Sequence, residues 1–555
     1  MIQEIQLSNF KAFADTVRIP IKPITLIFGP NSSGKSSIFQ ALLMLKQTIE
    51  EDSISEEQTL LPKGKLVDLG NFREFIHKHE ENRSFSVTFK VAPPIDLYDA
   101  ISTEDFLSQQ GDSERLNNLC HSIESLPLGI TVAFSFDNTK GIHVTKLDLL
   151  VGDDPTPIIT FVNEPPEGME SLADDADNEV KTKRERQWRI YRISPKNYLK
   201  FKKIENHDYW KIYFKSIKED SYWSQYEEEF EYLSEGKDIG AQKLENLLQG
   251  LSTEEREVLS SSSSSLGGIF NPKINLFKDD FLTLSKFLPV ELNGYDSQYM
   301  TSDVFDNPDQ DNVSVLTLAA SFMTKKFLLD CVHLGPVRHN PERKFFFSGI
   351  ISSYVGVSGQ HTNEILVTDP ELVAKVNKQL KNLNLGYQIK IIHLASNSSD
   401  VKVSTIRLVS EAGIDLAITD VGYGISQVLP IILQSMITKE KTILIEQPEL
   451  HLHPAQQAEL GDLFINAALG DQKNTFIIET HSEHLILRLL RRIRETSESK
   501  LPNDVMPITP DQISVLYVEP GKDGAQVMSL GVTEDGDFED RWPDGFFTER
   551  AKELF

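Results

Sequence analysis

Two rhythms of apolar positions run along this chain of 555 residues. Ile24, Leu26, Ile27 and Phe28 form a short apolar run closed by Gly29 and Pro30, which predicts a buried strand. From Ser36 onward, Ile38, Leu42, Leu45 and Ile49 recur at helical spacing, which predicts a helix ending near Glu50. Residues 2–8 and 17–28 read as strands on either side of the NFKAF segment that begins at Asn9. An acidic connector reaches Pro62, and residues 67–80 read as a loop with a short helix. Residues 84–91, 130–136, 143–151 and 158–162 then read as short strands, mostly alternating, in an antiparallel meander.

The pattern loosens between about residues 165 and 330. Glu164-Pro165-Pro166-Glu167-Gly168 breaks the strand rhythm, and acids crowd positions 172–179. Serines fill positions 260 to 265 ahead of Leu266-Gly267-Gly268, the composition of a flexible loop. This region reads as a partly helical insertion. Order returns at Cys331 with an apolar strand and a proline-containing loop carrying Arg338 and Arg343. Residues 370–383 read as a helix, and 388–394, 401–408 and 414–418 as strands. Buried strands at 442–446 and 476–479 each end in an acid, Glu446 and Glu479. Pro454 suits the first turn of one following helix, and Ser482 can cap the next. Residues 511–519 and 525–532 close the pattern as strands.

Composition narrows the class. An apolar fraction of 39% and a charged fraction of 25% are ordinary for a globular protein, with length for two or three domains. No apolar run approaches the roughly 20 residues that span a bilayer. The first residues lack the basic and apolar regions of a signal peptide. Cys120 and Cys331 are too few for a disulfide framework or a zinc site. A cytoplasmic location without membrane contact is the expectation. The net charge of −27 argues against sequence-independent nucleic-acid binding over most of the surface. Lys181 to Lys203 is the local exception: Lys181, Lys183, Arg184, Arg186, Arg189, Arg192, Lys196, Lys200, Lys202 and Lys203 face a single acid, Glu185. Trp188, Tyr191, Tyr198 and Phe201 interleave, as in a single-stranded nucleic-acid groove. A strand pair with a solvated charged face, or one docked on the chain's own acidic surface, would use the same residues.

The candidate chemistry starts at Gly29-Pro30-Asn31-Ser32-Ser33-Gly34-Lys35-Ser36, a complete G-x-x-x-x-G-K-S phosphate loop. Gly29 and Gly34 let the backbone turn until its N–H groups converge on phosphate oxygens at a helix N-terminus. Lys35 brings a mobile charge to the β and γ phosphates, and the Ser36 hydroxyl is a ligand for Mg²⁺. Loss of Lys35 is expected to abolish ATP binding and leave only a solvent-facing gap. Glu446, at the end of an apolar strand, is presented as the metal-side acid of phosphate-loop ATPases is. His481 falls on the turn after the next buried strand. Gly422, Gly424 and Ser426 open a helix, a second anion-binding N-terminus.

Taken in order, the phosphate loop, the Gly/Ser turn, the acid-ended strand with E-x-P-E-L-H-L-H-P and the T-H-S turn resemble an ABC-type ATPase head of the RecF/OLD/SMC-like class. NFKAF, GPNSSGKSS, VDLG, LGPVR, DVGYGISQVLP, EQPELHLHP, ETHSEH and WPDGFF resemble more narrowly the PtuA-like ATPases of Septu and retron anti-phage systems. The likeness covers residues 1–90 and 331–555 and little of 165–330. It implies an α/β head, a mixed sheet with a phosphate loop plus an antiparallel meander, split by an insertion. The parts would be 1–164, 165–330 and 331–555. Gly29 to Ser37, with Asn31, Ser32 and Ser33 among them, would be the Walker A loop for ATP and Mg²⁺, with Ser36 and Glu446 on the metal. Gly422, Gly424 and Ser426 would form the signature that meets ATP on the other subunit of a head-to-head homodimer. His481 would be the switch histidine, and His451 and His453 would be structural. The implied partners are a PtuB-like HNH nuclease effector and, through Lys181–Lys203, nucleic acid or a reverse transcriptase complex.

One position departs from that pattern. The family's usual D-E-P reads Glu446-Gln447-Pro448, so an amide occupies the place of the general base. Glutamine takes no proton at neutral pH but can orient a water, and Glu449 lies two residues on as a substitute base. The expected function is an ATP-holding clamp or switch with slow hydrolysis that controls an effector. The competing reading is a repair or recombination ATPase acting on DNA, which the acidic charge disfavours. A fused Toprim nuclease is weaker still, because Glu534, Asp535, Asp537 and Asp540 read as a solvated acidic turn.

Overall fold

The computed structural model describes residues 2–51, 59–92, 127–138, 141–152, 157, 159–164, 187–193, 282–286, 288–292, 308–347, 352–394 and 402–543. In chain order the elements are β1 (Ile2–Ser8), β2 (Val17–Pro20), β3 (Ile24–Phe28), α1 (Lys35–Glu50) and α2 (Phe72–Phe75). Next come β4 (Phe85–Val91), β5 (Leu128–Asp137), β6 (Gly141–Val151), β7 (Ile159–Glu164), β8 (Gln187–Ile193), β9 (Leu282–Ser285) and β10 (Leu288–Leu292). They are followed by α3 (Pro308–Asp330), β11 (Cys331–Leu334), β12 (Phe345–Phe347), α4 (Thr362–Thr368), α5 (Pro370–Asn382), β13 (Tyr387–Leu394), β14 (Lys402–Ser410) and β15 (Asp415–Ala417). The last are α6 (Tyr423–Ile437), β16 (Thr442–Glu446), α7 (Pro454–Leu469), β17 (Thr475–Glu479), α8 (Glu483–Ser497), β18 (Ile513–Glu519) and β19 (Gln526–Leu530). The α/β class expected from the sequence is the one observed.

The chain divides into two compact units. One comprises Met1–Gln3, Ser53–Leu60 and Glu81–Lys326; the other comprises Glu4–Asp52, Leu61–Glu80 and Phe327–Phe555. In the first, β4 to β7 form the expected antiparallel meander, each strand bonded to the next, and β8 extends it by one strand the expectation did not include. Phe85 and Phe134 face each other across it with stacked rings 4.8 Å apart, an aromatic cross-strand pair of the kind that stabilises a register. Strand β8 gives the middle of the basic segment an extended backbone paired with β7. The side chains of that segment, the rest of it and the serine tract lie outside the described residues.

The second unit carries a six-stranded sheet ordered β11-β16-β17-β3-β18-β19, parallel except for the edge strand β19. Every residue of β3 and β17 is buried, which is why both read as continuous apolar runs without alternation. Ile24, Leu26 and Phe28 join Ile443, Ile445, Phe476 and Ile478 and residues of α6, α7 and α8 in one core. The run 17–28 is two strands, not one: Pro20 and Pro23 lack the N–H that a continuous ladder requires. A smaller antiparallel sheet joins β12, β14, β13 and β15. Helix α5 is tied to it by Asn377, whose amide bonds both the N–H and the C=O of Ile389. Helices α7 and α8 are linked by Arg488 and Arg492, which both donate to Asp462.

Candidate functional site

Strand β3 delivers the chain to a loop that helix α1 then closes. Gly29 has φ of 144°, and a Cβ there would lie 2.4 Å from the carbonyl oxygen of Val518. Gly34 has φ of 109°, and its Cβ would lie 2.7 Å from that of Ala12, on the NFKAF turn. Both positions therefore need glycine for conformation and for space. Asn31 and Ser32 are exposed at the loop tip, while Ser33 and Ser37 are buried. Lys35 is 4% exposed, and its ammonium donates to the carbonyls of Gly29 at 3.0 Å and Pro30 at 2.9 Å. The solvent-facing gap expected on its loss is thus corrected: this side chain folds back under the loop. Burial holds its pKa below the ordinary lysine value, against the carboxylates of Glu479 and Glu449.

Two acids end adjacent strands. Glu446 on β16 and Glu479 on β17 are register partners in the parallel ladder. The Ser36 hydroxyl donates to Glu479 Oε2 at 2.8 Å, and Lys35 Nζ lies 3.9 Å from Oε1. Glu446 Oε1 instead meets His333 Nε2, on the far neighbour β11, at 2.8 Å. Glu479 is 5% exposed. Burial pushes its carboxyl pKa up, the Ser36 bond and Lys35 oppose that, and Glu446 and Glu449 add to it.

The segment after β16 is a tight turn. Gln447 sits at φ of 47° and His451 at 62°, both left-handed. The Gln447 N–H donates to the Glu479 carbonyl at 2.7 Å. Arg338, 3% exposed, holds the turn from the other side. It donates to the carbonyls of Glu446 at 2.9 Å, Gln447 at 3.2 Å and Pro336 at 3.0 Å. Burial pushes its pKa down to about 10, with Glu449 and Glu446 opposing. Glu449 Oε2 accepts from the Thr480 hydroxyl and Oε1 from the His481 N–H, both at 2.7 Å. Its own carboxyl is pushed up by burial, against those two bonds. Burial and then Lys35 hold the His481 imidazole below the usual histidine value, so it is neutral at pH 7. Ser482 caps α8 by accepting from the N–H of Leu485 at 3.1 Å, as expected. His453 caps α7, accepting from Ala455 at 3.3 Å, and the His451 ring lies 6.0 Å from that of Tyr423.

The Gly/Ser turn opens α6 with Gly422 at its N-cap. Ser426 is turned inward, its hydroxyl donating to the Tyr423 carbonyl at 2.8 Å. A Cβ on Gly424 would meet the His451 carbonyl oxygen at 2.8 Å, whereas one on Gly422 would meet nothing within 4 Å. Tyr423 beside them is 58% exposed. The acidic turn after β19 is anchored, not merely solvated: Arg494 binds the Asp535 carbonyl and the Asp537 carboxylate.

Phosphate loop, Glu446, Gln447, Glu449 and His481 thus come together around the ends of β3, β17 and β16. Sequence reasoning missed the contacts of Glu479, Arg338 and His333. All three were visible, as an acid ending an apolar run and as the Arg and His of VHLGPVR, but the strand order that brings them in was not. The oxygen donors fit a hard divalent cation. Among the described residues no group of three or more His, Cys, Asp or Glu could hold a metal by itself, and no helix is long and apolar enough to cross a membrane.

The family described as AAA ATPase domain matches residues 1–486. The chain is 35% identical over 91 residues to the chromosome partition protein Smc of Synechocystis sp., covering 16% of this chain and 7% of that protein. It is 51% identical over 43 residues to the chromosome partition protein Smc of Synechococcus sp., covering 8% and 4%. It therefore spans less than a tenth of these curated relatives. A solved SmcHead bound to the C-winged helix domain of ScpA is matched at a TM-score of 0.37 and 12% identity, over 96% of this chain and 98% of that one.

Proposed function

This chain belongs to the AAA ATPase domain family, and on that premise we propose that it holds ATP and Mg²⁺ as a slowly released clamp that controls a partner effector. Lys35 would leave the carbonyls of Gly29 and Pro30 for the β and γ phosphates, and Ser36 would ligate the cation together with a strand-end acid. Bound Mg²⁺ would neutralise charge on the phosphates. His481 would meet the γ-phosphate. The turn at Gly422, Gly424 and Ser426 would reach ATP held by a second copy in a head-to-head homodimer; the open space around Gly422 supports this.

The observation that carries the clamp reading is the state of the two candidate bases. Gln447 is an amide, and each oxygen of Glu449 already accepts a hydrogen bond, from the Thr480 hydroxyl and the His481 N–H, which holds the carboxylate in place. General-base assistance supplies about 10²–10⁴-fold, so turnover without it is slow. The effector is, by the resemblance of the motifs, an HNH nuclease in anti-phage defence, with residues 165–330 as the insertion and Lys181–Lys203 as a contact for nucleic acid or a reverse transcriptase complex. The acidic net charge favours this over direct action on DNA. The short similarity to chromosome partition proteins supports the DNA-acting alternative.

The test is retention of radiolabelled ATP and single-turnover hydrolysis. The wild type should hold ATP through slow turnover, and Gln447→Glu should hydrolyse at least about tenfold faster. Fast wild-type hydrolysis that survives Glu449→Gln refutes the clamp.

A further inference from the structure

We propose that Glu479 is a second carboxylate ligand of the Mg²⁺ site, an inference that rests on the ATP-binding reading above. The sequence expectation gives the cation to Ser36 and Glu446 alone. The structure puts Glu479 closer to the hydroxyl in question. Ser36 Oγ and Glu479 Oε2 are 2.8 Å apart. In octahedral coordination at about 2.0–2.1 Å, two neighbouring oxygen ligands lie about 2.9 Å from each other. The pair is therefore already spaced as two cis ligands of one magnesium ion. For the cation to enter, the serine O–H turns its proton away and presents a lone pair, while Glu479 keeps its position.

The surroundings favour the same assignment. Glu479 is fixed at the end of a strand buried along its whole length, so its carboxylate has little freedom to swing elsewhere. The charge balance is also incomplete. Glu446 and Glu449 lie near Glu479, and among the described residues Lys35 at 3.9 Å is the cation that answers it. In the ATP-bound arrangement Lys35 leaves for the phosphates, and a divalent cation supplies what it takes away. Glu446, in register on the next strand, keeps one oxygen on His333. Its other oxygen remains for the cation or for a water bound to it. The site so built has acids from two adjacent strands and a hydroxyl from the phosphate loop.

The decisive experiment uses the full chain with a non-hydrolysable ATP analogue and Mn²⁺ as a paramagnetic probe. Metal affinity is read by electron paramagnetic resonance, and analogue affinity is measured separately in EDTA. Glu479→Gln keeps an acceptor for Ser36 but removes the charge. It should weaken Mn²⁺ binding by at least about tenfold, while metal-free analogue affinity stays level or rises because a negative charge beside the phosphates is gone. Mn²⁺ affinity within twofold of wild type, with the analogue still bound, overturns the proposal. A wild type that binds no analogue with or without metal removes the ATP-binding premise itself, a distinct result. Should Glu479→Gln not fold, Glu479→Asp is measured in the same way. That variant retains the charge but shortens the reach, and the expected result is again weakened Mn²⁺ binding. Unchanged Mn²⁺ affinity in it also overturns the assignment.

Discussion

Arg338 offers a prediction whose size can be worked from the geometry. Its guanidinium, 3% exposed, makes three bonds to carbonyls, two of them on consecutive residues, Glu446 and Gln447. Replacing it with methionine keeps an apolar stem of similar length and removes every donor. Bonds from a charged donor are worth about 1.5–3 kcal/mol each, but carrying the guanidinium out of water offsets part of their sum. Gln447 adds a further term. Its left-handed backbone costs about 1–2 kcal/mol and is held by Arg338 on its C=O and by Glu479 on its N–H. The net expectation is a local loss of about 3–5 kcal/mol, because buried carbonyls left without a donor cost about 1–3 kcal/mol each and the relieved burial of the guanidinium returns part of that. In a chain of this size a single unfolding free energy is ill defined, so the assay is hydrogen exchange resolved to the amides of Gln447 and His481. A loss of 3 kcal/mol corresponds to a fall in protection of about a hundredfold. Arg338→Lys should fall between, because one ammonium cannot span both carbonyls with fork geometry. Protection within threefold of wild type in Arg338→Met would falsify the bracing role.

Lys35→Met should lower ATP affinity by about a hundredfold or more through loss of two charge-assisted phosphate contacts, and equal affinity in equilibrium dialysis would refute the assignment. Gly422→Ala should leave the hydrogen-exchange protection of α6 unchanged, since a Cβ there meets nothing within 4 Å, and the bulkier Gly422→Phe should prevent the doubling of mass that Mg-ATP should produce in wild-type light scattering. A wild type that stays monomeric at every concentration sinks the composite site. His481 has its pKa lowered by burial and then by Lys35. As pH falls through about 6.5 the unfolded chain takes up that proton first, so stability present above this pH declines below it. His481→Gln should lose less hydrogen-exchange protection around the Thr480 turn than wild type between pH 7.5 and 5.5, after the intrinsic pH effect is removed, and equal losses would count against the neutral buried histidine.

What could be read from the sequence was local. Gly29 to Ser36 carries its conformation in its own glycines, Ser482 and Pro454 mark helix starts by their own chemistry, and β3, β16 and β17 announce burial by unbroken apolar runs. The partners of strand-end groups were not legible. Glu446 and Glu479 look alike in sequence, each an acid after four β-sheet residues, and only the order of strands sends one to Ser36 and the other to His333. Lys35 shows the same limit. Its motif dictates its use toward phosphate, while its bonds to Gly29 and Pro30 depend on how the loop packs. Helix α3 was missed as a unit because it begins inside a stretch of loosened pattern, and α4 because it is only seven residues long.

The place of β3 between β17 and β18 also sets a timetable for biosynthesis. The phosphate loop is made long before the strands that flank it, which follow several hundred positions later. Lys22, just ahead of β3, bonds the carbonyl of Pro510, 488 positions later. At about 5–20 residues per second, a ribosome needs on the order of half a minute to a minute and a half to travel that distance. For most of that interval β3 has neither neighbour, β17 coming only shortly before Pro510 and β18 just after it, and such distant pairing makes for slow closure. A nascent chain that has not reached β17 and β18 therefore displays the nucleotide motif without the sheet that gives it shape, and competence for ATP waits on those two strands.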